Sequence, residues 1–540
     1  MIEQALYHKS GSEYCYAVDE KTVRLRFRTA KEDYPRVVVI YGVKYNFATT
    51  RYQEEMTLCY TDSMFNYYCV ELKLQDPRLI YIFQIFDNQD VYYFSADGLT
   101  KKFDFSNCHF SVFQIGYINP CDIHRAVEWM QRARFYQIFV DRFCCGDRKK
   151  DLSYVNLKCG QSPNYQSFAG GDLKGIIEKL PYLQDLGINA LYLTPIFKSD
   201  SNHKYDVQDY FSVDKNFGGK EDFAALVEKA HEKGIKVVLD AVFNHVSNHS
   251  PQFLDVVKNG KNSQYYDWFV INGDKPDEKK LNYQCFAACG YMPKWNTSNV
   301  KVQDFLLSIG LYWIKNYHID GWRLDVSDEV SHTFWRRFRQ AVKAENPNCV
   351  IIGENWLNAN EYLQGDQFDS VMNYAFTKAC LDFFAFGTLD ASGFADKLNE
   401  ILMRNTDTVN SMMLNLLDSH DTPRFFTQVG KDQNKLKSAL AVLYLYVGTP
   451  CIYYGTEIAM PGGIDPDCRR VMNWEKAESE RVKDNSVWNL IHYLTDLKKN
   501  ESVLSSSQVK IYAKDNIFYL ERGDITLQID GATYKHTISR

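Results

Sequence analysis

Proline is scarce, 14 in 540 residues, and no stretch rich in proline, glycine or serine marks a flexible linker, a low-complexity tract or a repeat. There is no basic surplus: 62 Lys and Arg face 68 Asp and Glu, a net charge of -6, so little charge is left to neutralise phosphates. Nucleic acid is therefore not expected as a partner, and no acidic tail stands out. No apolar run is long enough to cross a bilayer comfortably. The longest, Ala439 to Tyr454, is broken by Gly448, Thr449 and Pro450 and reads as a buried helix end followed by a strand. No membrane partner is expected. The start, MIEQALYHKSGSEYCY, lacks the basic opening and apolar stretch of a secretory signal, which points to the cytoplasm. None of the 14 cysteines forms a C-x-x-C pair, and neither Cys144-Cys145 nor Cys285 and Cys289 is followed by histidines at zinc spacing. Reduced thiols are expected, not a disulfide framework or a metal site.

What is present suits a globular protein. Hydrophobic residues at 45% and charged ones at 24% match ordinary soluble domains, and 540 residues exceed what one core usually serves. Residues 1–122 read as a β-sandwich, with short alternating strands such as TVRLRFRTA, RVVVIYGVKY and LIYIFQIFD between polar breaks. From residue 123 to 500 the rhythm changes. Eight strand candidates (RFYQIFVDRF, INALYLTPIF, KVVLDAVF, HIDGWRLDV, NCVIIGEN, FDSVMNYA, VNSMMLNLLD and GTPCIYYGTE) alternate with helical stretches. In two of these helices an apolar stripe recurs at i, i+3, i+4, i+7: Phe223, Leu226, Val227 and Ala230, then Val302, Phe305, Leu306 and Ile309. Eight such units in series predict an α/β fold, a closed parallel (β/α)8 barrel whose site lies at the C-terminal strand ends. The irregular stretch at about 244–299 predicts a small inserted subdomain after the third strand, and 501–540 leaves room for a short β-domain.

Three carboxylates fall at strand ends: Asp325 in GWRLDV, Glu354 in IIGENW and Asp421 in LLDSHD. Any one could merely cap the next helix. Three that a barrel brings together point to acid–base work on one substrate. Arg323 and Asp325 are two apart on a strand and face one side, so the guanidinium is expected to hold Asp325 ionised by lowering its pKa. Burial beside Trp356 is expected to raise Glu354 and let it donate a proton near neutral pH. Such a pair cleaves glycosidic bonds with retention when its carboxyls stand about 5–5.5 Å apart. His245 and His420 offer hydrogen bonds to sugar hydroxyls.

The segments DAVFNHV, GWRLDV, GENW and LLDSHD resemble, in order and spacing, the four signature segments of the α-amylase superfamily, glycoside hydrolase family 13. The resemblance implies Asp325 as nucleophile, Glu354 as acid/base and Asp421 as transition-state stabiliser. It also implies that Asp240, His245, Arg323 and His420 shape the glucose subsite, with Asp240 acting through Arg323. Tyr205, with His203 nearby, matches the family's stacking tyrosine. MPKWN (Met292 to Asn296) resembles the MPKLN of neopullulanases, cyclomaltodextrinases and maltogenic amylases, with Trp295 in place of leucine. The first sandwich and DPDCRR, which holds Asp465 and Arg469, resemble other parts of that subgroup.

The subgroup resemblance implies a homodimer in which the N-terminal domain narrows the partner's cleft toward cyclodextrins and short α-glucans, with contacts from Phe286, Asp465 and Arg469. The reaction so implied is hydrolysis of α-1,4-glucosidic bonds in cyclomaltodextrins, pullulan and maltodextrins, leaving α-1,6 cleavage and transglycosylation open. Alternatives are an oligo-1,6-glucosidase or α-glucosidase, or an inactive amylase-like binding protein. Many relatives hold calcium near the first barrel strand. Here that stretch reads CCGDRKKD, and only Asp147 and Asp172 survive as ligands, so no cofactor and no calcium is expected. Glu329, four residues past Asp325, stands where relatives balance hydrolysis against transfer, though a solvated acid at a helix start is an equal reading.

Overall fold

The computed structural model describes residues 1–540. The chain forms two compact units: Met1–Ala126 with Gly387–Ser411 and Ser507–Arg540, and Val127–Phe386 with Met412–Ser506. No helix is long and apolar enough to cross a membrane.

In the first unit, a sheet of Cys15–Asp19, Thr22–Ala30, Phe65–Lys73 and Thr57–Thr61 faces a sheet centred on Arg36–Val43 and Leu79–Asp87. Alternate residues supply the core between them: Val23, Leu25 and Phe27 from one sheet, Val37, Val39, Tyr81, Phe83 and Ile85 from the other. The same unit takes in two later pieces. Helix Ala391–Met403 packs Phe394 against Phe518 of an antiparallel meander (Lys510–Lys514, Ile517–Arg522, Ile525–Asp530, His536–Ser539), ring centroids 4.9 Å apart. The buried Arg26 donates to Asn405 O at 2.6 Å and to Asp407 Oδ1 at 2.5 Å. Local sequence pattern places 387–411 in the barrel's run of helices, yet its contacts belong to this unit.

The second unit is the barrel. Its strands are β1 Phe135–Ile138, β2 Ala190–Leu193, β3 Lys236–Ala241, β4 Gly321–Leu324, β5 Val350–Gly353, β6 Ser370–Val371, β7 Leu414–Leu416 and β8 Thr449–Tyr453. All eight lie in the predicted segments. They run parallel in the order β6-β5-β4-β3-β2-β1-β8-β7. A parallel bridge between Met372 and Leu414, with Asn373 N donating to Leu414 O at 2.8 Å, joins the two ends. Strands covered on both faces need apolar residues at nearly every position, as in the fully buried ALYL of β2 and VIIG of β5. Helix Lys220–Glu232 buries the whole predicted stripe, and Val300–Tyr317 buries Val302, Leu306 and Ile309 while Phe305 stays half-buried.

The inserted stretch after β3 carries more regular structure than its composition suggests. It includes helix Pro251–Asn259, capped by Ser250, and a small aromatic core of Phe253, Phe269, Tyr283 and Trp295. Trp295 is buried, parallel to Phe269 at 4.9 Å, and donates its indole N–H to Tyr210 at 3.2 Å. The aromatic that departs from MPKLN thus anchors the subdomain.

Candidate active site

The barrel brings four carboxyls to its C-terminal mouth: Asp240 on β3, Asp325 just past β4, Glu354 just past β5 and Asp421 after β7. Arg323 links three of them. Its register on β4 places it opposite Asp240 on β3. From there Nη1 reaches both Asp240 oxygens at 3.1 Å and Asp325 Oδ1 at 2.9 Å, while Nη2 lies 2.9 Å from Glu354 Oε1. One planar guanidinium therefore holds the two implied reacting acids side by side.

The other Asp325 oxygen is free. Oδ2 is buried without a hydrogen-bond partner, 4.0 Å from His245 Nε2, which has none either. A buried polar pair left open in this way invites a third molecule. The expected effect of Arg323 on Asp325 is corrected: burial, then repulsion from Glu354, pushes the Asp325 carboxyl well above the carboxylate range, and Arg323 only opposes the rise. The guanidinium's charge is divided among three carboxyls, so it cannot hold any one of them low. Asp240 is likewise pushed up to about 6, chiefly by burial.

Glu354 is raised as the sequence predicts, burial being the first cause, with Arg323 opposing and Asp421 adding to the rise. Its Oε1 accepts the Trp356 indole N–H at 3.2 Å and its Oε2 the Val326 backbone N–H at 3.0 Å. That N–H is aimed by a left-handed Val326, φ 45°, a conformation a β-branched residue rarely adopts. The turn is held in place because Ser327 N–H and Oγ both donate to Glu354 O, at 3.2 and 2.6 Å, and Trp335 donates to Ser327 O at 2.8 Å.

Asp421 faces Arg469, with Oδ1 3.3 Å from Nη2, and its Oδ2 lies 3.2 Å from His420 Nε2. Burial raises its carboxyl against the pull of Arg469. Arg469 also donates to His420 O at 2.8 Å and pairs with Asp465 Oδ1 at 3.0 Å. Gln137 on β1 donates its side-chain amide to His420 Nδ1 at 2.7 Å. The proton then sits on Nε2 and points at the Tyr205 hydroxyl, 2.5 Å away. The Tyr205 hydroxyl in turn donates a hydrogen bond to Asp240 Oδ2 at 2.9 Å, where Tyr192 donates too at 2.7 Å. Burial keeps the three histidines neutral: His203 and His245 fall to about 3, and His420 far below its ordinary range.

These groups border a cleft of about 550 Å³, within the ~300–1,000 Å³ span of small-ligand sites. Its wall includes His203, Tyr205, His245, Phe286, Asp325, Glu354, Trp356, Asp421, Asp465 and Arg469. Asp240, Arg323 and His420 stand behind that wall and act through others. Phe286, from the inserted subdomain, stacks on His245 at 4.9 Å. Trp356 lies face to face on the buried Tyr374, centroids 4.0 Å and planes 5° apart, so that its outer face is a platform of sugar-ring size. Glu329 is half exposed on the cleft wall, and Lys294 of MPKWN donates to its Oε2 at 2.9 Å and its backbone O at 3.0 Å, and also to Asn244 Oδ1.

The sequence reading missed Tyr165, Tyr291, Met292, Val326 and Asp328 on the wall, and Gln137 and Tyr374 behind it. Tyr374 is the last residue but one of the sixth predicted strand segment and could have been found by its place. Tyr165 and Tyr291 lie in irregular loops with no periodicity to mark them. Near β1, the two acids weighed as calcium ligands are already engaged: Asp147 pairs with Lys174 at 2.7 Å and Asp172 with Lys150 at 2.8 Å.

An acid pair on one guanidinium, at the mouth of a parallel barrel and open to an aromatic-lined cleft, is the apparatus of a barrel glycoside hydrolase. The chain belongs to the α-amylase family. Residues 137–516 match the α-amylase catalytic domain, and 1–119 match its N-terminal ig-like domain. It is 42% identical over 525 residues to a cyclomaltodextrinase of Thermoanaerobacter pseudethanolicus, covering 97% of this chain and 90% of that one. An intracellular maltogenic amylase of Bacillus subtilis is 41% identical over 507 residues, covering 93% and 85%. A solved cyclomaltodextrinase structure superposes with a TM-score of 0.92 at 38% identity, covering 98% of this chain and 91% of that one.

Proposed function

We propose that this enzyme hydrolyses α-1,4-glucosidic bonds of cyclomaltodextrins, pullulan and short maltodextrins by double displacement, with Asp325 as nucleophile, Glu354 as acid/base and Asp421 as stabiliser. The observation that carries this reading is Asp325 itself, with Oδ1 fixed on Arg323 and Oδ2 buried without a partner beside the cleft. In the reacting state Asp325 is ionised and the proton sits on Glu354; Oδ2 attacks the anomeric carbon and forms a glycosyl ester while the C–O bond to the leaving sugar breaks. Glu354, whose carboxyl burial raises toward the acid form, gives its proton to the departing oxygen. As a carboxylate it then takes a proton from water, whose oxygen attacks the same carbon, breaks the ester and returns Asp325.

As the sugar ring flattens and gains positive charge, Asp421 stands by with an oxygen facing it, oriented by Arg469 and His420. Tyr205 and Trp356 offer flat faces to the sugars on the wall of the cleft. A second sugar hydroxyl in place of water would give transglycosylation, and an α-1,6 bond presented to the same pair would be cut by the same steps. Relatives named cyclomaltodextrinase and intracellular maltogenic amylase support cyclic and short substrates and a site of action inside the cell. A homodimer through the N-terminal domain belongs to the same reading.

The test is initial rates and products on β-cyclodextrin, pullulan and soluble starch, with Asp325→Asn as the blank. Faster turnover of cyclodextrin than of starch, releasing mainly maltose, is expected. Faster cleavage of starch to long products overturns the substrate assignment, and full activity of Asp325→Asn overturns the nucleophile. Sedimentation at assay concentration checks the dimer.

A further inference from the structure

Lys150 lies in the loop after β1, in the run CCGDRKKD that interrupts the calcium ligands of relatives. Its side chain is 13% exposed and its ammonium is shared among three chain segments. Nζ donates to Gly170 O at 2.8 Å and to Asn216 O at 2.7 Å, and it lies 2.8 Å from Asp172 Oδ2. Three oxygens converging on one positive centre is the donor arrangement of a cation site.

The surrounding residues are built for this centre. Asp172 is 1% exposed and caps helix Leu173–Asp185. Its Oδ1 accepts from Gly175 N at 2.8 Å and Gly146 N at 3.0 Å, and its Oδ2 from Asp147 N at 3.1 Å. A buried carboxylate with every lone pair used still needs a compensating charge, and Lys150 supplies it. Gly170, at φ 81°, adopts a left-handed conformation, and its own N–H is taken by Asp141 Oδ1 at 3.2 Å. The remaining carboxyl, Asp147, is occupied by Lys174 at 2.7 Å.

A divalent ion does not fit here. Calcium wants six to eight oxygens at ~2.3–2.6 Å, and this place offers three, each already bonded to an ammonium whose charge would repel the ion. We infer that the Lys150 ammonium is a permanent, covalently attached cation that clamps the loops at Gly170, Asp172 and Asn216, in the role a bound divalent ion would otherwise fill. Such a cation does not dissociate, so the clamp needs neither metal supply nor a chelator-free medium.

The clamp also bears on the cleft. The loop between Lys150 and Gly170 carries Tyr165, whose ring lines the wall, whose carbonyl accepts from Asn202 at 2.7 Å and whose hydroxyl donates to Asp465 O at 3.3 Å. Lys150 is thus a positioning residue for that rim. It touches no substrate.

The experiment follows thermal unfolding and metal content of the full chain, wild type and Lys150→Asn. Wild type should carry no stoichiometric divalent metal and unfold at the same temperature in EDTA and in millimolar calcium. Loss of stability in EDTA, or co-purification of one calcium per chain, overturns the inference without any variant. Lys150→Asn should unfold about 5 °C or more below wild type, regain part of the loss in millimolar calcium, and show a raised KM with kcat nearly kept. A variant as stable as wild type shows the ammonium to be dispensable. A destabilised variant indifferent to calcium reduces the clamp to an ordinary ion pair. Either result overturns the proposal.

Discussion

Arg323 Nη1 lies 3.1 Å from both carboxylate oxygens of Asp240, a residue absent from the cleft wall. The same nitrogen holds Asp325, so Asp240 sets the angle at which the guanidinium presents itself to the reacting acids. Asp240→Asn keeps the shape but removes the charge and leaves part of Arg323 unpaired. The expected result is a fall of about 10²-fold or more in kcat/KM, with a stability loss of about 3–5 kcal/mol, checked by initial rates and denaturant unfolding. Near wild-type activity would show that the guanidinium orients itself without Asp240.

Trp356 donates its indole N–H to Glu354 Oε1, a bond that favours the ionised carboxylate and so works against the rise caused by burial. Trp356→Phe keeps a ring against Tyr374 but removes the donor. The Glu354 pKa should rise further, and the basic limb of the kcat/KM profile against pH should move to higher pH. A basic limb that stays put would mean that Trp356 serves only as a platform.

His203 and His245 are each pushed down to about 3 by burial, whereas an unfolded imidazole titrates near 6.5. Above that value both states are neutral and stability is indifferent to these groups. As pH falls from about 6.5 toward 3, the unfolded chain binds protons the folded one refuses, and each histidine costs about 1.4 kcal/mol per pH unit. Carboxyls raised by burial, such as Asp240, act in the opposite sense within part of that window. The difference between wild type and His203→Asn isolates one histidine: calorimetry from pH 7 to 5 should show a shallower loss of stability in the variant, and equal slopes would refute the assignment.

Lys294 ties the inserted subdomain to the turn after β4 through Glu329 and to the chain just past the end of β3 through Asn244. Lys294→Met should loosen Phe286 and Met292, which that subdomain supplies to the cleft wall. A loss of between about 10-fold and 10²-fold in kcat/KM, mostly in KM, is expected on cyclodextrin. A loss confined to kcat would place the lysine's effect on Glu354's side of the turn.

Deleting residues 1–122 is the obvious way to ask what the sandwich does, but it leaves partners behind. Asp407 and Asn405 would lose the buried Arg26, and Asn399, which donates to both Thr61 O at 2.9 Å and Ile511 O at 3.0 Å, would lose one of its two acceptors. The truncated chain should unfold at lower temperature and aggregate, as static light scattering during a thermal ramp would report. A monomeric, equally stable fragment would show that 387–411 and 507–540 hold together without the sandwich.

Much of this was legible along the chain because it depends on short-range pattern. Near-continuous apolar runs of four to six residues mark strands covered on both faces, and Phe223, Leu226, Val227 and Ala230 mark a one-sided helix, whatever surrounds them. Eight such units in order allow few topologies. Because that barrel gathers its strand ends at one mouth, Asp325, Glu354 and Asp421 were readable as one site before any distance was known.

Tertiary structure decided the remainder, which depends on meetings between residues far apart in the chain. Only the fold shows one guanidinium divided among Asp240, Asp325 and Glu354, and only the fold supplies the burial and the neighbouring Glu354 charge that reverse the pKa direction expected for Asp325 from its near neighbour alone. Only the fold gathers Gly170 O, Asn216 O and Asp172 around Lys150, since a backbone carbonyl carries no mark in the sequence of where it will point. Periodicity reports which face of an element is buried. Which long-range partner fills that face, and which charges come to share one small buried volume, is fixed by packing, where electrostatics and hydrogen bonds act over ångströms of space and not over positions in the chain.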